Sequence, residues 1–223
     1  MTYQEVIDSL KKKANPKNVA GMARFGINSK NTLGISIYEL RPLAKKIGQD
    51  HKLALRLWKS KIHEARILAS YIDDPGKVTQ SQMDDWVSDF DSWDTCDQVC
   101  ELFGKTPFAY KKIVEWSKRK EEFVKRAAFA LIAEMSWHDK KANDNTFRKL
   151  FPIIKKQSMD ERNFVRKAVN WALRNIGKRN KNLNREALAV AKEIQKIDSK
   201  AARWIAADAI RELKIKKERF AQV

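Results

Sequence analysis

One pattern constrains this chain more than any other: an apolar, alanine-rich stripe at helical spacing that returns about every 40 residues. In the segment 163–178, Val165, Ala168, Val169, Ala172, Leu173 and Ile176 fall at i, i+3, i+4, i+7, i+8 and i+11. That is the single face of an amphipathic helix, with no alternating strand pattern in competition. The same stripe stands at Val124, Ala127, Ala128, Leu131, Ile132 and Met135, and again at Ala202, Ile205, Ala206, Ala209, Ile210 and Leu213. The three copies are offset by 41 and 37 residues. A weaker fourth copy is Ala65, Leu68, Ala69 and Ile72.

Further amphipathic helices are expected near 39–48, 51–60, 80–90, 107–118, 144–157 and 184–196. Alanine at matching points of the pattern allows paired helices to approach closely. Two helices per unit at this period imply an all-α fold, an α-solenoid of HEAT-like helical repeats. With seven Gly and five Pro, the chain has little material for the turns of an all-β fold. The polar break Asp73-Asp74-Pro75-Gly76 reads as a connection inside one array, so 1–223 is expected to be a single HEAT-like repeat domain and a monomer.

Charge supplies the first functional clue. The chain carries a formal net charge of +18, but unevenly: residues 1–104 hold 15 Lys+Arg against 14 Asp+Glu, and residues 105–223 hold 31 against 14. Solubility needs far less than this, so a polyanionic partner is expected for the C-terminal half. No apolar run approaches the roughly 20 residues that span a bilayer. The start of the chain shows no signal-peptide pattern, so a cytoplasmic protein is expected. Cys96 and Cys100, four apart on one helix, read as small buried hydrophobes in a reducing compartment. His51, His63 and His138 have no metal-ligand spacing, and no phosphate loop or dinucleotide fingerprint is present. Neither metal nor cofactor is expected.

The helical wheel locates the charge. At about 100° per residue with Val165 at zero, the apolar stripe of 163–178 centres near about 10°. Trp171 then falls at about 240°, among Lys167, Arg174 and Lys178 at about 200°, 180° and 220°. Two placements fit Trp171: packing against a helix of the neighbouring repeat, or a platform for sugar or base with cations on the flanking phosphates. Arg126 takes the place of Lys167 in the preceding copy, and Trp204 takes it in the following one, flanked by Arg203 and Arg211. Corresponding positions of successive repeats line one surface, so these residues would build a concave basic face that follows a phosphate backbone. A plain solvated charged face is the other reading.

Residues 78–104 are opposite in character, with Asp84, Asp85, Asp89, Asp91, Asp94, Asp97 and Glu101 and no Lys or Arg. Asp91 and Ser92 are candidate N-caps, and Asp94 suits the first turn of a helix. Cys96, Val99, Cys100 and Phe103 define a core side, with Trp93 at its edge and Asp97 beyond it. Periodicity alone reads Trp93 as core and Asp97 as a solvated or capping residue.

These residues carry a resemblance. Ser92-Trp93-Asp94-Thr95-Cys96-Asp97, the Phe-Val-Lys-Arg-Ala-Ala run at 123–128, Phe-Val-Arg-Lys-Ala-Val-Asn-Trp-Ala-Leu-Arg at 164–174 and the segment from Gly34 to Gly48 resemble the AlkD-like DNA alkylation repair glycosylases. The likeness runs from about residue 20 to 215. It implies hydrolysis of the N-glycosidic bond of cationic alkylated purines in duplex DNA, as a step of base excision repair. It further implies that Asp97 is the catalytic carboxylate, that Trp93 and Trp171 pack against the damaged nucleotide, and that Arg126 meets phosphates. An alkylated purine leaves without a strong acid because it is already cationic. One carboxylate then suffices to stabilise the oxocarbenium-like sugar and orient water, and indole faces favour the cation. The sequence offers no base-sized pocket beyond the aromatic pair. The alternative is a non-catalytic HEAT-like module that binds DNA or RNA structures; a scaffold for an acidic protein partner is a third reading.

Overall fold

The computed structural model describes residues 1–221, with side chains described through Glu218. They form fourteen helices and, among the described residues, no strand. The chain divides into two compact units, Met1–Phe108 and a second from Ala109 onward.

The first unit holds α1 (Tyr3–Lys12), α2 (Pro16–Arg24), α3 (Ile37–Ile47), α4 (His51–Lys59), α5 (His63–Ile72), α6 (Gln80–Ser88) and α7 (Trp93–Phe103). The starts follow local chemistry. Thr2 and Glu5 form a capping box on α1, while the side chains of Asn15, Asp50 and Thr79 accept from backbone N–H groups that open α2, α4 and α6. Helix α5 packs on α3, α4 and α7, around a core that includes Leu40, Leu57, Leu68, Trp86 and Phe103. Trp58 and Trp86 stack with centroids 4.0 Å apart, and the Trp58 indole N–H donates to Asp89 at 3.0 Å.

A buried carboxylate organises the start of this unit. Glu64 is completely buried and accepts hydrogen bonds from the backbone N–H groups of Leu33, Gly34 and Ile35 at 2.7–3.2 Å. These amides satisfy a charge that would otherwise be costly inside the protein. They pin the loop between α2 and α3 to α5. Gly34 has φ +81°, and a Cβ there would lie 2.2 Å from the Asn15 carbonyl oxygen, so only glycine fits.

The second unit holds α8 (Ala109–Trp116), α9 (Glu122–His138), α10 (Asp144–Arg148), α11 (Phe151–Gln157), α12 (Asn163–Gly177), α13 (Lys181–Gln195) and α14 (Lys200–Ala221). The three alanine-rich copies are α9, α12 and α14, and α12 packs on both of the others. The segment 144–157 is not one helix: α10 closes at Arg148 and α11 begins again with Pro152 in its first turn, where a missing N–H is tolerated. The repeat period reappears in side-chain pairing. Arg148 with Glu186, Lys155 with Glu193, Asn170 with Asp208 and Arg174 with Glu212 are all separated by 38 residues. Gly177 sits where α12 meets its neighbours; a Cβ there would lie 2.6 Å from Leu213 and 3.0 Å from Ala187. No helix among the described residues is long and apolar enough to cross a membrane.

Candidate functional site

In the first unit the acidic segment becomes the N-terminal end of α7. Ser92 occupies the N-cap position, but its side chain does not cap. Its hydroxyl, completely buried, accepts from the Asn28 backbone N–H at 2.9 Å, and the Asn28 amide reaches Asp91 at 2.7 Å. The loop after α2 is thereby fastened to the start of α7. Trp93 is neither core nor free indole: it is partly exposed, and its indole N–H donates to the Phe25 carbonyl at 3.1 Å. Asp97 follows one turn later on α7 and is also partly exposed. Cys96 and Cys100 point the other way and are completely buried.

Trp93 walls a cavity of about 380 Å³, together with Met22, Phe25, Ile37, His63 and Asp94. The cavity lies at one member of the aromatic pair, in keeping with a sequence that offered no pocket beyond it. Its walls come from α2, the following loop, the start of α3, α5 and α7, segments far apart in sequence, so no local pattern could have revealed it. At its edge His63, only 5% exposed, donates from Nε2 to Asp94 at 2.9 Å, and its Nδ1 lies 3.3 Å from the Thr95 hydroxyl. Burial disfavours the imidazolium, but the hydrogen bond and negative charge of Asp94 outweigh it and raise the His63 pKa. His63 and Asp94 are 31 residues apart, so no local spacing signals the pair. Asp94 does more than complement the helix dipole. Among the described residues, no group of three His, Cys, Asp or Glu could hold a metal ion.

The second unit carries Arg126, Lys167, Trp171, Arg174 and Lys178. Lys167 is exposed and Trp171 partly so, both off the buried stripe of α12. Arg126 departs from its expected place on an open face. It is 6% exposed and donates to the Phe164 carbonyl at 2.7 Å. The wheel assumed one buried side, whereas α9 is buried around its whole circumference from Arg126 to Ala133. Arg174 and Lys178 are not open cations. Both pair with Glu212 of α14, and Arg174 also reaches Asp208 at 3.4 Å. Reading each helix alone missed these carboxylates, which lie on the next copy of the stripe, 34 and 38 residues along the chain. Trp204, 39% exposed, receives the Arg166 guanidinium 5.1 Å from its ring centroid.

A family model described as "DNA alkylation repair enzyme" matches residues 6–213. A solved structure reported as "A new family of proteins related to the HEAT-like repeat DNA glycosylases with affinity for branched DNA structures" superposes with a TM-score of 0.79 at 18% identity, covering 95% of each chain. At that identity the likeness establishes a common fold, the helical-repeat fold expected from the alanine stripes, and nothing about activity. A designed armadillo repeat protein aligns with a TM-score of only 0.36 at 16% identity, over 78% of this chain and 91% of its own, and carries no weight. No curated protein matches.

Proposed function

Since the chain belongs to the DNA alkylation repair enzyme family, we propose that it is a DNA glycosylase for cationic alkylated purines, such as N7-alkylguanine and N3-alkyladenine, in duplex DNA. The observation that carries this reading is the start of α7, where Trp93 is held by its indole N–H and Asp97 follows one turn later, both accessible to solvent. A carboxylate is the group this chemistry needs. Departure of the cationic base leaves positive charge on the sugar, which Asp97 stabilises while orienting the attacking water. Trp93 offers its face to the same charge. Trp171 is assigned to packing against the sugar and backbone of the damaged nucleotide, and Lys167, Arg174 and Lys178 to phosphates. Arg126 takes a different part: buried and bonded to the Phe164 carbonyl, it fixes the N-terminal end of α12, and any action on DNA passes through that helix. The protein acts as a monomer, in the cytoplasm, and without metal or cofactor.

The test is release of free base from duplex DNA containing N7-methylguanine. The wild type is expected to release it faster than spontaneous depurination. Asp97→Asn should lose this by about two to three orders of magnitude while still binding duplex. Folded wild-type protein that binds DNA and releases nothing overturns the enzymatic reading. That outcome leaves the second reading, a non-catalytic binder of DNA structures. It is favoured by the protein of the same fold described as having affinity for branched DNA.

A further inference from the structure

We propose that Trp137 forms a stacking site for an unpaired nucleotide, separate from the residues assigned to base release and resting on the reading that the second unit binds DNA. Trp137 is 62% exposed, at the C-terminal end of α9. Tryptophan normally surrenders most of its surface on folding, so this exposure sets it apart. The Lys140 ammonium lies 5.0 Å from its ring centroid, which holds a cation against the indole.

Around it the surface is built. A shallow cavity of about 140 Å³ is lined by Trp137, Lys140, Asn175, Lys178, Arg179 and Asn180. Arg179 donates to the carbonyls of Ser136, Asp139 and Ala142 at 2.6, 2.9 and 3.2 Å, and its guanidinium lies 4.0 Å over the Phe147 ring. The segment that carries Trp137 is thereby fixed to the end of α12. The nearby carboxylates are occupied: Glu134 pairs with His138, Asp139 accepts from Tyr110, and Glu212 pairs with Lys178. What remains toward solvent is the indole, amide groups and the Lys140 ammonium, which a stacking base would displace toward its own phosphate.

The position matters as much as the composition. Trp171 and Asn175 lie at i and i+4 on α12 and share one side of it, with Lys178 following at its C-cap. The cavity lies at the Lys178 end of that row, about 10 Å along the axis from Trp171. An aromatic plate with an ammonium group beside it suits a nucleobase and its phosphate, and stacking accepts any base. A base stacks there only when it is out of the helix, so the site selects DNA with an unpaired nucleotide over continuous duplex.

The test compares labelled duplex with the same duplex carrying a single-nucleotide bulge, at one moderate salt concentration. Wild-type protein should prefer the bulged DNA. Trp137→Ala should lose about tenfold on the bulged DNA with little change on duplex, and Trp137→Phe should keep most of the preference. Equal binding of both DNAs by wild type, or a bulge preference untouched in Trp137→Ala, overturns the proposal. So does a change in sedimentation of Trp137→Ala with unaltered DNA binding, which would mark a contact between copies. Base release by the wild type is read alongside. An inactive wild type with a Trp137-dependent bulge preference defeats the glycosylase reading alone, and an active one without the preference defeats this site alone.

Discussion

His63 and Asp94 put a titratable pair beside Trp93, and its behaviour follows from burial. The folded pKa of His63 is raised above the ordinary value of 6.5 by Asp94 despite desolvation. The imidazolium–carboxylate pair therefore contributes stability that is fully present below about pH 6.5 and is lost as pH rises through the folded value. Asp94→Asn removes the largest of the raising influences and leaves burial opposed only by the charges of Glu64 and Asp91, so the pKa of His63 should fall. NMR titration of the imidazole in both proteins checks this, and an unchanged titration would show that Asp94 does not set it. Gly34 gives a second residue-scale expectation: Gly34→Ala should destabilise the fold by about 2 kcal/mol or more, read in urea denaturation, because its φ is positive and its Cβ would meet the Asn15 carbonyl. Neither feature was legible from spacing. Glu64 and Gly34 are bound by a contact across 30 residues, and a single sequence gives no period by which to pair them.

The helices themselves were legible where an apolar stripe repeats. Periods in Val, Ala, Leu and Ile marked α9, α12 and α14 because burial of one face is a local property of sequence. Helix α2 escaped, since none of its residues is buried and its start rests on Asn15 and Pro16; α1 escaped as well, because its buried Val6, Ile7 and Leu10 span little more than one turn. The failure at Arg126 has the same origin, because a wheel assigns sides without knowing how many are covered. At α12 and α14 the missing information was charge pairing. Glu212 holds both Arg174 and Lys178, so two cations of the proposed DNA face are partly neutralised before any DNA arrives. Glu212→Gln should release them and tighten duplex binding several-fold, with a steeper salt dependence. Weaker binding with unchanged folding would mean that Glu212 positions these side chains for DNA instead of competing with it.

Across the whole chain the charge asymmetry coincides with the division into units. Residues 1–108 hold 16 Lys+Arg against 14 Asp+Glu, and residues 109–223 hold 30 against 14. Much of the second unit's acid is committed internally, in pairs such as Lys125 with Asp160 and Arg148 with Glu186. The surplus that meets solvent is therefore nearly all cationic, and Lys167 belongs to it, exposed and in no ion pair among the described residues. A phosphate contact by such a side chain releases counterions, so the logarithm of the binding constant should fall steeply and linearly with that of salt. Lys167→Ala should weaken binding to every duplex alike and reduce that slope by about 0.9, the value for one phosphate neutralised. Base release from saturated enzyme should be unaffected, because Lys167 carries positioning charge and no part of the bond-breaking chemistry. An unchanged slope would take Lys167 off the phosphates. A shallow slope for the wild type would remove the polyanion that the charge of the second unit implies, and with it the reason to place DNA on that face.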